Sequence, residues 1–160
     1  YEAMHDVLTG VFNRRAYEVF MQSIDLQHVA LIIVDVDDFK SINDTYGHDY
    51  GDRVLRKVAE LLLHSFRSVD MICRIGGDEF GVIMTRVNSG MSALVKDKIT
   101  HINAMLQLPA DDTPPASLSV GVAFSDRKHP EGDLFKDADS ALYQVKQGGR
   151  RGCRVFGETE

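Results

Sequence analysis

Apolar and polar positions along this chain fall into two periods. "AYEVFMQSI" (16–24) has the mixed apolar spacing of a helix that begins near Asn13. "VALIIV" (29–34) is a continuous apolar run leading into acids, which predicts a buried strand. "DRVLRKVAELLLHSF" places Val54, Leu55, Val58, Leu61, Leu62 and Phe66 at helical spacing. Residues 71–75 and 80–84 predict two short strands around Gly76-Gly77, a hairpin signal. A helix over about 90–107 leads into the proline-rich loop "QLPADDTPPA". "SLSVGVAF" (117–124) alternates as a strand, "LFKDADSALYQVKQGG" predicts a helix stopped by its double glycine, and "CRVF" predicts a last edge strand. Helix, strand, helix, hairpin, helix, strand, helix, strand is the order of an α/β (α+β) sandwich. Its central sheet is largely antiparallel and flanked by helices, not doubly wound and parallel.

Composition narrows the setting. The chain has 160 residues, enough for one domain with its own core. Its 44% hydrophobic and 26% charged residues are ordinary for a globular protein. No apolar run approaches the roughly 20 residues of a membrane span. The polar opening "YEAMHDVLTG" is not a secretory signal, and a start at Tyr1 suggests a piece of something longer. Cys73 and Cys153 are isolated, without metal-ligand spacing, so a reduced, cytoplasmic setting is expected. A net charge of −6 argues against broad binding to nucleic acid polymers but leaves a nucleotide open.

The chemistry concentrates after the first strand. Residues 35–52, "DVDDFKSINDTYGHDYGD", hold six Asp, one Asn, one Lys and one His, with two glycines among them. Asp35 and Asp37 are expected to point apart, one toward a site and the other elsewhere. A calcium loop counted from Asp35 fails, because Phe39, Lys40 and Tyr46 fall where an oxygen ligand, a glycine and a glutamate are needed. The P-loop and GxGxxG patterns are absent. Acids at a strand end and acids at a hairpin tip, Asp78 and Glu79, can share divalent metal ions if the two strands are neighbours. Magnesium takes oxygen ligands and keeps positions open for phosphates.

"DVLTGVFNRR" (6–15, with Val11 where leucine is usual), "DVDDFKSINDTYGHDYGD", "RIGGDEF", "SLSVGVA" and "ADSALYQVKQGGR" together resemble the GGDEF domains, the diguanylate cyclases, over nearly the whole chain. The resemblance implies a fold like the palm of nucleotide cyclases and polymerases, one catalytic domain over residues 1–160. It implies condensation of two GTP into cyclic di-GMP with release of pyrophosphate. Asp35, the backbone carbonyl of Val36 and Asp78 would bind two magnesium or manganese ions per half-site. Asp78 also takes the family's general-base role, with Glu79 in support. Lys40 would face the triphosphate, with backbone N–H groups from Phe39 and Lys40, while Lys146 and Arg150 would reach the terminal phosphates. Gly76 and Gly77 would let the triphosphate approach the backbone.

Asn43 and Asp52 would read the guanine edge, His48 would lie close to the nucleotide, and Leu8 and Leu55 would wall the base. Guanine offers two adjacent donors that adenine lacks, so a carboxylate acceptor suits it. Aspartate at 52, where serine would hint at mixed products, favours GTP. Two domains must meet for one bond to form, so a homodimer is implied. A sensory or receiver domain is expected before this one, and the full-length protein could be membrane-anchored. Arg67 and Asp70 resemble a product-binding inhibitory site for cyclic di-GMP; the plainer reading is a surface i, i+3 ion pair. The alternative to an enzyme is a catalytically silent domain that binds GTP or cyclic di-GMP and regulates a partner.

Overall fold

The computed structural model describes residues 2–108 and 112–158. Helix α1 (Arg14–Ser23) starts where Asn13 accepts from the Ala16 amide, as its side chain is suited to do. It is followed by strand β1 (Val29–Val36), helices α2 (Phe39–Tyr46) and α3 (His48–Ser65), and the hairpin β2 (Met71–Arg74) and β3 (Glu79–Thr85). Helix α4 (Ser92–Gln107), β4 (Leu118–Phe124), α5 (Leu134–Gln147) and β5 (Gly152–Val155) complete the order.

The sheet runs β2-β3-β1-β4-β5, with β1 antiparallel to both β3 and β4, β2 antiparallel to β3, and β5 parallel to β4. From Val29 to Val34, β1 is wholly apolar because both its faces are covered. Ala30, Ile32, Val34 and Val36 meet α3 and α4 through Val58, Leu62, Ile99 and Ile102. Val29, Leu31 and Ile33 meet Tyr17 of α1 and Ala138 and Leu142 of α5. Such a layering is the α/β sandwich that the hydrophobic pattern predicts.

Two details differ from expectation. Residues 39–46, which follow β1 as part of an acidic polar stretch, form α2, a helix with one buried residue, Ile42. Phe39, Ile42 and Tyr46 do fall at helical spacing, but three positions in eight residues are too few to stand out in so acidic a stretch. Gly47, at φ 95°, then separates α2 from α3, a backbone conformation that favours glycine. The hairpin is realised, but through four residues (75–78), and neither Gly76 nor Gly77 has a left-handed φ. Of the proline-rich loop, residues 109–111 lie outside the described residues; beyond them the Ala116 amide donates to Leu106 O at 3.1 Å.

Candidate active site

The register of β1 against β3 sets Asp35 directly opposite Glu79, and its register against β4 sets Asp35 opposite Ser119. From the last turn of α5, Lys146 forms an ion pair with Asp35 Oδ2. The other oxygen, Asp35 Oδ1, is buried and has no hydrogen-bond partner among the described residues. Burial, then the charge of Asp35 and a hydrogen bond to it, push the Glu79 carboxyl up to about 7. Near neutrality Glu79 therefore keeps a proton part of the time. Burial works to lower the Lys146 ammonium, but its hydrogen bond to Asp35 and the charge there outweigh it and raise its pKa.

This end of β1 fits a hard divalent ion. An unpartnered carboxylate oxygen and a second carboxylate forced to hold a proton are what an all-oxygen donor set looks like without its cation. Among the described residues no three His, Cys, Asp or Glu side chains converge closely enough to hold an ion alone. Any cation bound here would need backbone or phosphate oxygens as well, which suits magnesium better than a closed protein cage.

Asp37 is buried and has a different task. It accepts from Ser117 Oγ and Ser119 Oγ, both at 2.6 Å, and from the Arg151 amide at 3.1 Å. Asp35 and Asp37 both turn toward the α5 side, since residues two apart on a strand share a face. The expectation that they point apart fails for that reason. The carboxylate of Asp37 joins the ends of β1 and β4 to the turn after α5, where Arg150 and Arg151 adopt φ of 68° and 45°. From that turn Arg150 Nε lies 3.9 Å from Asp38 Oδ1.

Two arginines hold the hairpin tip by its carbonyls. Arg74 donates to Gly77 O through Nε (3.2 Å) and Nη2 (2.7 Å), and its Nη1 pairs with Asp6 at 3.3 Å. Arg14 Nη1 donates to Ile75 O at 2.8 Å. The Val36 amide donates to Asp78 O at 3.0 Å, fastening the tip to β1. A Cβ at Gly77 would meet nothing within 4 Å, so neither packing nor conformation inside this chain demands a glycine there.

Helices α2 and α3 supply the remaining candidates. Lys40 and His48 are exposed; Phe39, Asn43 and Asp52 are half-buried. Asn43 Oδ1 is buried without a hydrogen-bond partner among the described residues. Leu55 is a core side chain, 1% exposed, whereas Leu8 is half-buried and packs against the same core. Arg67 and Asp70 stand apart from all of these. Arg67 holds the buried Asp70 through its amide, Nε and Nη2, and donates to Thr85 O at 2.9 Å. Thr85 pairs with Val29 and Glu79 with Asp35, six residues along β1, which places the two ends roughly 20 Å apart.

Sequence reasoning missed Asp37 as an anchor, Arg14 and Arg74 as clamps, and the close fit of Gly51 to Asn43. Arg14 and Arg74 lie inside quoted motifs, but a motif does not say which residue reaches which carbonyl.

Residues 3–152 match the family described as "Diguanylate cyclase, GGDEF domain". The chain belongs to the GGDEF family. Its likeness to individual GGDEF proteins is consistent. It is 34% identical to Diguanylate cyclase DgcM of Escherichia coli (strain K12), over 92% of this chain and 37% of that protein. With Diguanylate cyclase DgcS of Shewanella oneidensis the identity is 34%, over 99% of this chain and 54% of that protein. The structure is similar to the GGDEF domain of DgcB from Caulobacter crescentus in complex with c-di-GMP (TM-score 0.82, 28% identity, 99% of this chain and 98% of that one). It is also similar to diguanylate cyclase SiaD in complex with its activator SiaC from Pseudomonas aeruginosa (TM-score 0.82, 30% identity, 96% and 62%). The chain spans 37% and 54% of the lengths of DgcM and DgcS, and 15% of another relative, Probable diguanylate cyclase DgcE of Escherichia coli.

Proposed function

We propose that this domain condenses two GTP into cyclic di-GMP, as the catalytic part of a longer signalling protein with its own regulatory domain. The observation that carries the reading is Asp35, set beside Glu79 by strand register, paired with Lys146, and left with a buried, unpartnered oxygen. In each half-reaction the 3′-hydroxyl oxygen of one GTP bonds to the α-phosphorus of the other as the bond to pyrophosphate breaks. The hydroxyl proton passes to Asp78. Lys40, Lys146 and Arg150 meet phosphate charge, and Asn43 and Asp52 read the guanine edge.

Two magnesium or manganese ions, held by Asp35, Asp78 and the Val36 carbonyl, would neutralise the triphosphate when bound. Each domain carries one half-site, so turnover requires a homodimer, and the gain comes from positioning and fixed charge. Product binding at Arg67 and Asp70 would restrain the enzyme, in keeping with the c-di-GMP complex of the similar DgcB domain. Because that pair sits at the far end of β1, inhibition there would act through domain arrangement and not by blocking GTP.

The test is Asp78→Ala, followed by nucleotide binding and by turnover in parallel. Loss of turnover by at least about a hundredfold with folding intact supports the enzyme. Unchanged turnover contradicts it.

A further inference from the structure

Gly51 lies within the first turns of α3, buried against α2. A glycine inside a helix is destabilising relative to alanine, so its presence calls for a reason. Conformation is not the reason, because its φ is not left-handed. Space is. A Cβ here would lie 1.9 Å from Asn43 Oδ1, 3.0 Å from Asn43 Cγ and 3.2 Å from Phe39 Cζ. All three obstructing atoms belong to side chains. At Gly121, by contrast, a Cβ would strike backbone, Ala138 O at 2.2 Å and Leu142 N at 2.3 Å. An added methyl at 51 would therefore turn the Asn43 amide aside and leave the two helices in place.

The amide it would displace has a buried carbonyl oxygen with no donor among the described residues. That oxygen is seated against Gly51, so the glycine fixes which end of the amide lies against α3. We infer that Gly51 is a positioning residue for purine recognition: it is the notch that holds the Asn43 amide in its binding orientation. This rests on the reading of Asn43 as a guanine contact. The adjacent residue in the sequence, Asp52, is the second proposed guanine contact, so positions 51 and 52 supply the space and the charge of one recognition element. Asn43 lies on α2 and Gly51 on α3, and the Gly51 amide donates to Gly47 O in the turn joining them.

The experiment is a double-mutant cycle on the intact domain with Asn43→Ala, Gly51→Ala and the pair. It reads calorimetric affinity for a non-hydrolysable GTP analogue, affinity for the matching ATP analogue, and thermal melting. The expected result is that each single variant weakens the GTP analogue by roughly tenfold and narrows the guanine-over-adenine preference equally. In the Asn43→Ala background, Gly51→Ala then adds no further loss, because the obstructed amide is gone.

If Asn43→Ala weakens binding and Gly51→Ala does not, the positioning role is overturned while the guanine reading stands. Unchanged affinity in Asn43→Ala overturns the guanine reading, and the inference with it. Additive losses in the double variant, or a fall in Gly51→Ala melting of more than about 10 °C, assign Gly51 to packing and also overturn the inference.

Discussion

Asp35 has a neighbour on each side that answers a different part of its charge. Lys146 takes one oxygen, Glu79 stands opposite it in the sheet, and the second oxygen has no donor among the described residues. Its place at the strand's end was legible from the apolar run before it. Its partners were not, because they come from residues 44 and 111 positions away and no local pattern joins them. Asp6 shows how a quieter carboxylate supports the site. Burial pushes its pKa up, but hydrogen bonds from the Thr9 hydroxyl and amide and the charge of Arg74 pull it down further, below the ordinary value. The contribution is full above the unfolded carboxylate pKa of about 4 and is lost as pH falls through the lower folded value. Asp6→Asn should be less stable than the parent at pH 7, with the gap closing in the acid range. Denaturant unfolding at several pH values checks this, and a gap independent of pH would contradict it.

Helices and strands meet most tightly where β4 carries α5. Gly121 has no room for a Cβ because the α5 backbone at Ala138 and Leu142 occupies that space. Gly121→Ala should destabilise by about 1–3 kcal/mol or more, and it should weaken nucleotide binding by shifting Lys146. Thermal melting with nucleotide titration reads both; wild-type melting would refute the packing argument. Asp37 fastens the other end of that helix. Asp37→Ala removes three hydrogen bonds that join β1, β4 and the turn bearing Arg150, so a loss of about 2–4 kcal/mol is expected. A melting temperature within a degree or so of the parent would show that the network is dispensable. The long, apolar elements were readable from periodicity. Helix α2 was not, since Ile42 is its one buried residue and its position is fixed by packing on α3.

At the scale of the molecule, β1 is the central strand, and its two ends do different things. One end collects α2, the hairpin tip and the end of α5 into the candidate site. At the other, Arg67 and Asp70 hold the start of β2 to the end of β3. Five ordered motifs made the family legible before any coordinates. The roughly 20 Å between the two ends was not, because separation along a strand becomes distance only once register is known.

On the proposed reading each domain carries one half-site, so one domain alone would be insufficient. The most direct measurement is product formation by this domain fused to a constitutively dimeric partner, supplied with GTP and magnesium. The account predicts cyclic di-GMP and pyrophosphate in a 1:2 ratio, abolished by Asp78→Ala and by chelation of the metal. Tight GTP binding with no cyclic di-GMP from the enforced dimer would contradict it.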